Sequence, residues 1–316
     1  MKKELKMTNT VKTSVKFDKA TGKYTVRIGD AKAFTTGKTS HIEWKFHQVT
    51  GMKKTYEEIV GESQKVEAAK DAKFNINARF GFVEQLVSMV ADGVQPSAVI
   101  TGQGGLGKTF TVTKTLADKG YKDISDLGEL AAGSIVNMRK CFKMVKGFST
   151  AKGLYRTLFE NNKGIIVFDD CDAVLKDPVA LNVLKSALDS YGKRIISWNA
   201  ETRGEDDLPR SFNFEGRVIF ISNMEEGSID QAIRSRSMMI DLSMNDDQKI
   251  ERMGHIAESS EFMPEYDKKI VRDALGLIRD LKADAKEISL RTLISISKVR
   301  ASNDNWKDLA TYILTA

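Results

Sequence analysis

The alternation of apolar and polar residues predicts a small β-rich segment at the start of the chain. Residues 11–30 predict a hairpin, because apolar residues occupy every second position on either side of a turn at residues 19–22. Residues 41–47 (HIEWKFH) alternate in the same way and predict another strand. Residues 55–70 are mostly polar and indicate a helix or a linker. We therefore place a domain boundary near residue 70.

From Phe80 onward the apolar residues recur at helical spacing, and short apolar strands then alternate with helices. This order is typical of an α/β fold with a doubly wound parallel sheet. The predicted strands are residues 98–100, 141–145, 165–168, 194–198 and 218–222. The predicted helices run from Phe80 to Asp92-Gly93, from a glycine-rich loop through Leu116, and over residues 151–161 and 178–190.

The last part of the chain contains amphipathic helices and no predicted strand. These helices are residues 246–258, 267–283, 289–300 and 304–315. The sequence therefore predicts three parts. They are a basic, β-rich N-terminal segment (residues 1–70), an α/β nucleotide-binding domain (residues 71–245) and an all-helical domain of a size suited to a lid (residues 246–316).

Composition places the chain among ordinary globular proteins. Of its 316 residues, 41% are hydrophobic and 29% are charged, which is enough to build a core in each domain. No apolar run approaches the roughly 18 residues of a transmembrane helix, and the basic N-terminus lacks the apolar core of a signal peptide. Two cysteines cannot form a disulfide scaffold, and three histidines make no zinc pattern. We expect a cytoplasmic protein with no membrane partner.

Positive charge is concentrated in the first quarter of the chain. The net charge is 49 − 43 = +6, yet residues 1–70 hold 15 Lys and Arg against 8 Asp and Glu, which is +7. Residues 71–316 hold 34 against 35, which is −1. Such asymmetry favours contact with an anionic partner, nucleic acid first, and a lysine-rich solvated surface is the alternative.

Residues 102–109 (GQGGLGKT) match the phosphate-loop pattern G-x4-G-K-[ST], also called Walker A. Glycines allow backbone N–H groups to wrap phosphates where a Cβ would clash. Lys108 would reach the β- and γ-phosphates, and Thr109 would offer its hydroxyl to Mg²⁺. The glycine spacing also fits the dinucleotide fingerprint G-x-G-x-x-G. The Lys-Thr pair, and the lack of a second strand ending in an acid about 20 residues on, favour the phosphate loop.

Residues 164–170 (GIIVFDD) form an apolar strand that ends in two carboxylates. The last residues of such a strand reach the edge of an open α/β sheet where ligands bind. We expect Asp169 to hold the Mg²⁺ shell (the Walker B role) and Asp170 to polarise the water that attacks the γ-phosphate. The alternative is a pair of exposed strand-end aspartates without a chemical role.

With both motifs in place, residues 75–316 resemble an AAA+ ATPase. Residues 218–223 (VIFISN) are similar to the sensor-1 strand, residues 228–237 (SIDQAIRSRS) to the arginine-finger box, and residues 288–293 (ISLRTL) to the sensor-2 helix. The N-terminal 70 residues carry no such resemblance. The family usually has Asp-Glu where this chain has Asp-Asp after its apolar strand, and the shorter side chain predicts a shifted water or slower turnover.

The resemblance implies ATP hydrolysis with Mg²⁺ in a ring, most often a hexamer, with one site residue supplied by the neighbouring subunit. Asn223 would orient the attacking water, Arg236 (with Arg234 as the alternate) would be the arginine finger, and Arg291 would contact the nucleotide. The resulting assignments are as follows: catalytic, Asp170, Asn223, Arg236 and Arg234; nucleotide-binding, Gly102, Gln103, Gly104, Gly105, Leu106, Gly107, Lys108, Thr109, Phe110 and Arg291; metal-binding, Thr109 and Asp169.

Two segments bear on the substrate. Residues 146–152 (KGFSTAK) follow a predicted strand, and Phe148 between lysines suits either a gripped peptide or nucleic-acid phosphates, unless Phe148 simply fills the core. Residues 194–198 and 211–214 could pair as a hairpin that resembles the pre-sensor-1 hairpin of helicase-like members, or an ordinary surface hairpin. In the first case its Trp198, Arg203 and Arg210 would point into the pore.

Three functions therefore stay open. The favoured one is a DNA-binding motor, helicase-like translocase or loader acting on nucleic acid, of the kind that a phage or mobile element encodes. The second is a protein-remodelling ATPase, in which Phe148 grips polypeptide. The third is a switch-like ATPase that turns over little.

Overall fold

A computed structural model describes residues 13–18, 22–29, 31, 33–61, 63, 73–125, 138–189, 192–199 and 208–316. The chain divides into two compact units, Met1–Asn75 and Ile76–Ala316. The division falls a few residues after the boundary predicted near residue 70. The α/β part and the C-terminal helices belong to the same unit.

The N-terminal unit begins with the predicted hairpin. Strands β1 (Thr13–Asp18) and β2 (Lys23–Ile28) pair antiparallel, with Val15 opposite Val26, and β3 (Phe34–Thr36) pairs with β2. One face of this sheet packs on helix α1 (Thr39–Thr50). Residues 56–61 are helical, whereas residues 64–70 of the predicted helix or linker lie outside the described residues.

The strand predicted over residues 41–47 is wrong, because these residues lie within α1. Ile42 and Phe46 are buried four residues apart on one side of the helix, while Trp44 between them is 56% exposed. The apolar residues at positions 42, 44 and 46 therefore follow the two-residue period of a strand although they lie in a helix.

The second unit alternates strands and helices before ending in helices. Its elements are α2 (Ile76–Ala91), β4 (Ser97–Thr101), α3 (Lys108–Asp118), β5 (Lys122–Asp123), β6 (Cys141–Lys146), α4 (Ala151–Glu160), β7 (Ile165–Asp169), α5 (Pro178–Ala187), β8 (Ile195–Ser197), β9 (Ser211–Asn213), β10 (Arg217–Ile221), α6 (Gln231–Arg236), β11 (Met238–Asp241), α7 (Asp246–Ala257), α8 (Lys268–Asp280), α9 (Leu290–Ser302) and α10 (Trp306–Thr315).

Six of these strands form a parallel sheet in the order β11-β4-β10-β7-β6-β5. Strands β5 and β11 were not predicted from the sequence. Residues 194–198 were predicted as one of the alternating strands of the parallel sheet, but among the described residues β8 lies outside that sheet and pairs with β9 in a two-stranded ribbon. That ribbon is the pairing of residues 194–198 with 211–214 that the sequence also predicted.

Helices cover both faces of the parallel sheet, which is why its central strands are apolar on both sides. In β7, Ile166 and Phe168 join the core shared with α4 and α5, whereas Ile165 and Val167 join the core shared with α2 and α3. The unit is therefore a three-layer α/β structure, as the alternating pattern predicts.

Four C-terminal helices pack around a core of their own. In α8 the buried residues Val271, Ala274, Leu275 and Ile278 recur at helical spacing. Side chains cap the helix starts, among them Ser289 at the beginning of α9. This arrangement confirms the four predicted C-terminal helices. Among the described residues, no helix has the length and apolarity to cross a bilayer.

Candidate functional site

Three strands of the sheet, β4, β7 and β10, direct their carboxyl ends to one edge. The residues that follow them meet the start of α9 around a cavity of about 290 Å³. In parallel α/β sheets this edge is where ligands bind. The cavity brings together most of the predicted site residues: Gly104, Gly105, Gly107, Lys108, Thr109, Phe110, Asp169, Asp170, Asn223 and Arg291.

The glycine-rich loop of residues 102–107 has a backbone that other residues would strain. Gly102 has a φ of 129°, and a Cβ there would lie 2.7 Å from the backbone carbon of Leu242. Gly107 has a φ of 94° at the start of α3, and the first residues of this helix line the cavity. The first N–H groups of a helix have no partner within the helix and suit an anion. Gln103 stabilises the loop by a contact with a residue outside it: its side-chain oxygen accepts a hydrogen bond from the Met244 N–H at 3.3 Å.

Lys108 is almost fully buried beneath this loop. Its Nζ donates hydrogen bonds to the carbonyl oxygens of Gly102 and Gln103, both at 2.7 Å, and to Oδ1 of Asn223 at 2.9 Å. Burial lowers the pKa of Lys108, while the charges of Asp170 and Asp169 oppose that shift. A buried ammonium group at this position is available to an anion that enters the cavity.

Thr109, at the start of α3, and Asp169, at the end of β7, bring a hydroxyl oxygen and a carboxylate close together. The Thr109 hydroxyl lies 3.1 Å from each carboxylate oxygen of Asp169. Burial raises the pKa of Asp169, and the Thr109 hydrogen bond lowers it. No cluster of three or more His, Cys, Asp or Glu side chains suited to a metal occurs among the described residues. The pair fits Mg²⁺, which is commonly bound through one or two carboxylates together with substrate phosphates.

Asp170 and Asn223 lie next to this pair and contact each other. The Asn223 Nδ2 donates to Oδ1 of Asp170 at 2.6 Å. Asp170 has a φ of 56°, and its backbone N–H donates to the Ile221 carbonyl oxygen at 3.0 Å. Lys108, Asn223 and Asp170 are thus joined in one continuous row of hydrogen bonds.

The sequence did not predict two polar contacts between neighbouring strand ends at this edge, Ser222–Asp172 and Lys146–Asp169. Ser222 donates to a carboxylate oxygen of Asp172 at 2.6 Å and accepts from the Met224 N–H at 3.0 Å. Lys146, at the end of β6, lies 4.0 Å from Oδ2 of Asp169. Both contacts join residues from different strands, so strand pairing is what brings them together.

The C-terminal helices reach the loop through the start of α9. The Leu290 N–H donates to the Gly105 carbonyl oxygen at 2.8 Å, and Arg291 lines the cavity beside it. Phe110 is 58% exposed at the same place. Arg291, which the family resemblance implies contacts the nucleotide, thus lines the same cavity as the glycine-rich loop.

Arg234 and Arg236 are not brought to this cavity. Both lie on the short helix α6, half-buried, and Arg236 donates to the Ala232 carbonyl oxygen at 3.1 Å. Neither belongs to the described residues that line the cavity. Within a single chain the two arginines therefore lie apart from the other site residues.

The predicted substrate-contacting residues have mixed outcomes. Phe148 is 80% exposed, so it does not fill the core. Trp198, which would point into a pore if the ribbon were a pre-sensor-1 hairpin, packs against the core with its ring 5.7 Å from that of Tyr155. The aromatic side of the ribbon lies against α4, which favours the alternative of an ordinary surface hairpin for this residue. Arg210 is exposed, and Arg203 lies outside the described residues.

A larger cavity of about 850 Å³ adjoins the first one. Gly107, Phe110, Leu290 and Ile294 line both cavities, so the two form neighbouring parts of one cleft between α3 and the C-terminal helices. Its wall also includes Arg252, whose guanidinium lies 3.7 Å from the Phe80 ring centroid and whose pKa is lowered to about 10 by burial. The sequence did not predict this cavity, since its walls come from distant parts of the chain.

A phage protein is similar to this chain, whereas no protein family is identified for it. No protein-family model matches the chain. A protein of Enterobacteria phage T4, described as an uncharacterized 36.7 kDa protein in the nrdC-mobD intergenic region, is 26% identical over 264 residues. The matched region covers 78% of this chain and 76% of the T4 protein. That description gives a genomic position and no activity, so the function is inferred from the site.

Proposed function

We propose that this protein is an Mg²⁺-dependent ATPase of the AAA+ type that hydrolyses ATP. The observation that carries the proposal is the convergence at one sheet edge of Lys108, the Thr109–Asp169 pair and the Asp170–Asn223 pair. The G-x4-G-K-T pattern of residues 102–109 and the strand–loop–helix context agree with it. The three-layer α/β structure is compatible with a doubly wound phosphate-loop fold.

Each group has a definite part in this proposal. The loop N–H groups and Lys108 hold the phosphates, which replace the carbonyl and amide oxygens that Lys108 contacts in this structure. Thr109 and Asp169 hold Mg²⁺, which neutralises charge on the phosphates. Asp170 takes a proton from the attacking water, and Asn223 orients that water.

The larger cavity suits the nucleoside. It meets the phosphate side of the cleft at Phe110 and Leu290, and its apolar wall includes Ile256. A purine between such side chains is shielded from water. Arg291 then lies on the phosphate side, where its charge stabilises the nucleotide.

The remaining assignments concern assembly and substrate. We propose a cytoplasmic ring, of six subunits by the family resemblance, in which Arg236 or Arg234 reaches the nucleotide of the next subunit. Both arginines lie apart from their own chain's cavity, as a residue acting in trans requires. The proposed substrate is nucleic acid. Protein remodelling is the second candidate, favoured by the 80% exposure of Phe148.

The first experiment is steady-state ATP hydrolysis with Mg²⁺, alone and with single-stranded DNA, duplex DNA, RNA or an unfolded protein. Lys108→Ala should abolish ATP binding, because no other buried cation among the described residues contacts the loop carbonyls. Lys307→Ala, an exposed lysine on α10, is the matched control and should keep wild-type binding. Tight ATP binding by Lys108→Ala would refute the assignment of the loop. Stimulation only by protein would select the second candidate.

A further inference from the structure

Three aromatic rings lie side by side at the start of α1: Phe34 on β3 is half-buried against the core of the N-terminal unit, whereas His41 and Trp44 on α1 are exposed. The Phe34 ring centroid lies 5.4 Å from that of His41, which lies 5.8 Å from that of Trp44. Nδ1 of His41 is 3.1 Å from the Thr36 hydroxyl, and this contact orients the imidazole. Trp44 is 56% exposed. We name Phe34, His41 and Trp44 the ring row.

An exposed tryptophan at this position is informative because the fold does not require it. The core of the unit is filled from the other side of α1 by Ile42 and Phe46, which are 0% and 1% exposed. The Trp44 indole therefore leaves a large apolar surface in water, which is typical of binding surfaces.

Positive charge accompanies the ring row. Nζ of Lys45 lies 5.7 Å from the centroid of the Trp44 ring, and Lys38 is exposed at the start of α1. Glu43, the acidic residue of this helix, accepts a hydrogen bond from the Tyr56 N–H at 2.7 Å. In the sequence, residues 1–70 carry the +7 excess of the chain. The partner that complements this surface is an anion with flat apolar groups.

We propose that the ring row, with Lys38 and Lys45, binds single-stranded nucleic acid. Unpaired bases stack on the indole and imidazole, and the two ammonium groups contact the phosphates between the bases. A duplex hides its base faces, so the surface selects single strands. The inference rests on the proposed action on nucleic acid, and it assigns the first contact to a surface separate from the ATP site.

The test measures binding of a fluorescent oligothymidylate of about 20 nucleotides by anisotropy, with the full chain and without ATP. Trp44→Ala should weaken the affinity by about 5- to 100-fold, and Trp44→Phe should recover most of the loss because a phenyl ring still stacks. Lys38→Gln and Lys45→Gln should each reduce the slope of log affinity against log salt by about one.

Phe17→Ala is the matched control, because Phe17 is 54% exposed in the same unit but its ring contacts Tyr24 and lies outside the ring row. It should keep wild-type affinity. Quenching of tryptophan fluorescence by the oligonucleotide is a second readout. It should disappear in Trp44→Phe, because Trp306 is buried and Trp198 packs against the core.

Wild-type affinity in Trp44→Ala, equal losses in Trp44→Ala and Phe17→Ala, or equal affinity for a duplex of the same length would each overturn the proposal. So would binding of an unfolded protein in place of the oligonucleotide. The oligonucleotide assay contains no ATP, so its result does not depend on the proposed ATP site. Loss of ATP binding and loss of oligonucleotide binding are therefore separate results.

Discussion

Asp170 has a positive φ of 56°, an uncommon conformation for a residue with a side chain. Aspartate tolerates it better than most residues, and such strain is found at functional sites. Here the conformation directs the carboxylate of Asp170 to Asn223 and leaves Asp169, one residue earlier, to contact Thr109. Two consecutive carboxylates thus face different partners, which agrees with the separate roles proposed for them.

Asp170→Asn should leave ATP affinity within about twofold and reduce hydrolysis by about 10²- to 10⁴-fold, because the amide cannot accept the proton of water. Its oxygen still accepts the Asn223 hydrogen bond, so the site keeps its shape. Single-turnover hydrolysis and ATP titration measure the two effects. Asp172→Asn, which removes a neighbouring negative charge while its amide oxygen still accepts the Ser222 hydrogen bond, is the neighbouring control. Unchanged turnover in Asp170→Asn would place the base elsewhere.

Both cysteines should be inert toward thiol reagents in the folded protein. Cys141 and Cys171 are 2% and 3% exposed, and burial raises the pKa of Cys171 to about 11. Because the thiolate is the reacting form, labelling at about pH 8 should be slow and should accelerate as pH rises toward that pKa. Labelling with a chromogenic disulfide, native and in denaturant, checks this. Rapid labelling of the native protein would contradict the burial.

At the scale of elements, the glycine-rich loop depends on contacts from elsewhere in the chain. Gly102 lies against the backbone after β11, and Gly105 accepts a hydrogen bond from α9. Its conformation is therefore a property of the whole α/β unit and its C-terminal helices. The residue types of the loop form a local sequence pattern, whereas the residues that pack around the loop come from distant parts of the chain.

Gly102→Ala should destabilise the protein by about 1–3 kcal/mol and impair ATP binding, because alanine is strained at a φ of 129° and its Cβ would clash with Leu242. Gly104→Ala is the matched control for stability. Its Cβ would lie 3.5 Å from Oδ1 of Asn223, an ordinary contact, and its φ is not in the left-handed range. Thermal unfolding separates the two variants. Equal unfolding temperatures of the two variants would contradict this prediction, because the loop would then accept the added Cβ at position 102 without a loss of stability.

At the scale of the whole molecule, the site is incomplete within one chain if the arginine finger acts in trans. Neither Arg234 nor Arg236 is among the described residues that line the cavity, although both follow β10 closely in sequence. A neighbouring subunit is the source of the missing charge in the proposed ring.

Mixing Arg236→Ala with Lys108→Ala subunits should restore part of the ATPase activity that each variant lacks alone. The Lys108→Ala subunit supplies the arginine, and the Arg236→Ala subunit supplies the nucleotide site. Random assembly places the two variants in the productive order at only some of the interfaces, so we expect the ATPase activity to recover only in part. Hydrolysis across a series of mixing ratios measures it. A mixture no more active than its parents would contradict a shared site.

The sequence by itself determined the elements with strong local patterns and the residue types of the site. The period of two in residues 13–28 and the helical spacing in α8 are local properties, and both agree with the structure. The positions of Lys108 and Thr109 at the end of the glycine-rich loop follow from motif spacing, because strand–loop–helix geometry is short-range. Residues 41–47 were assigned wrongly because a short apolar run fits both periods, and packing on the hairpin decides for the helix.

Tertiary structure alone decided which residues from distant segments meet. It placed β11 beside β4, joined Lys108 through Asn223 to Asp170, and formed the larger cavity between α3 and the C-terminal helices. It also exposed Trp44 while burying Ile42 and Phe46. Strand order, cavities and exposure depend on contacts between residues far apart in the chain, and no local period encodes such contacts.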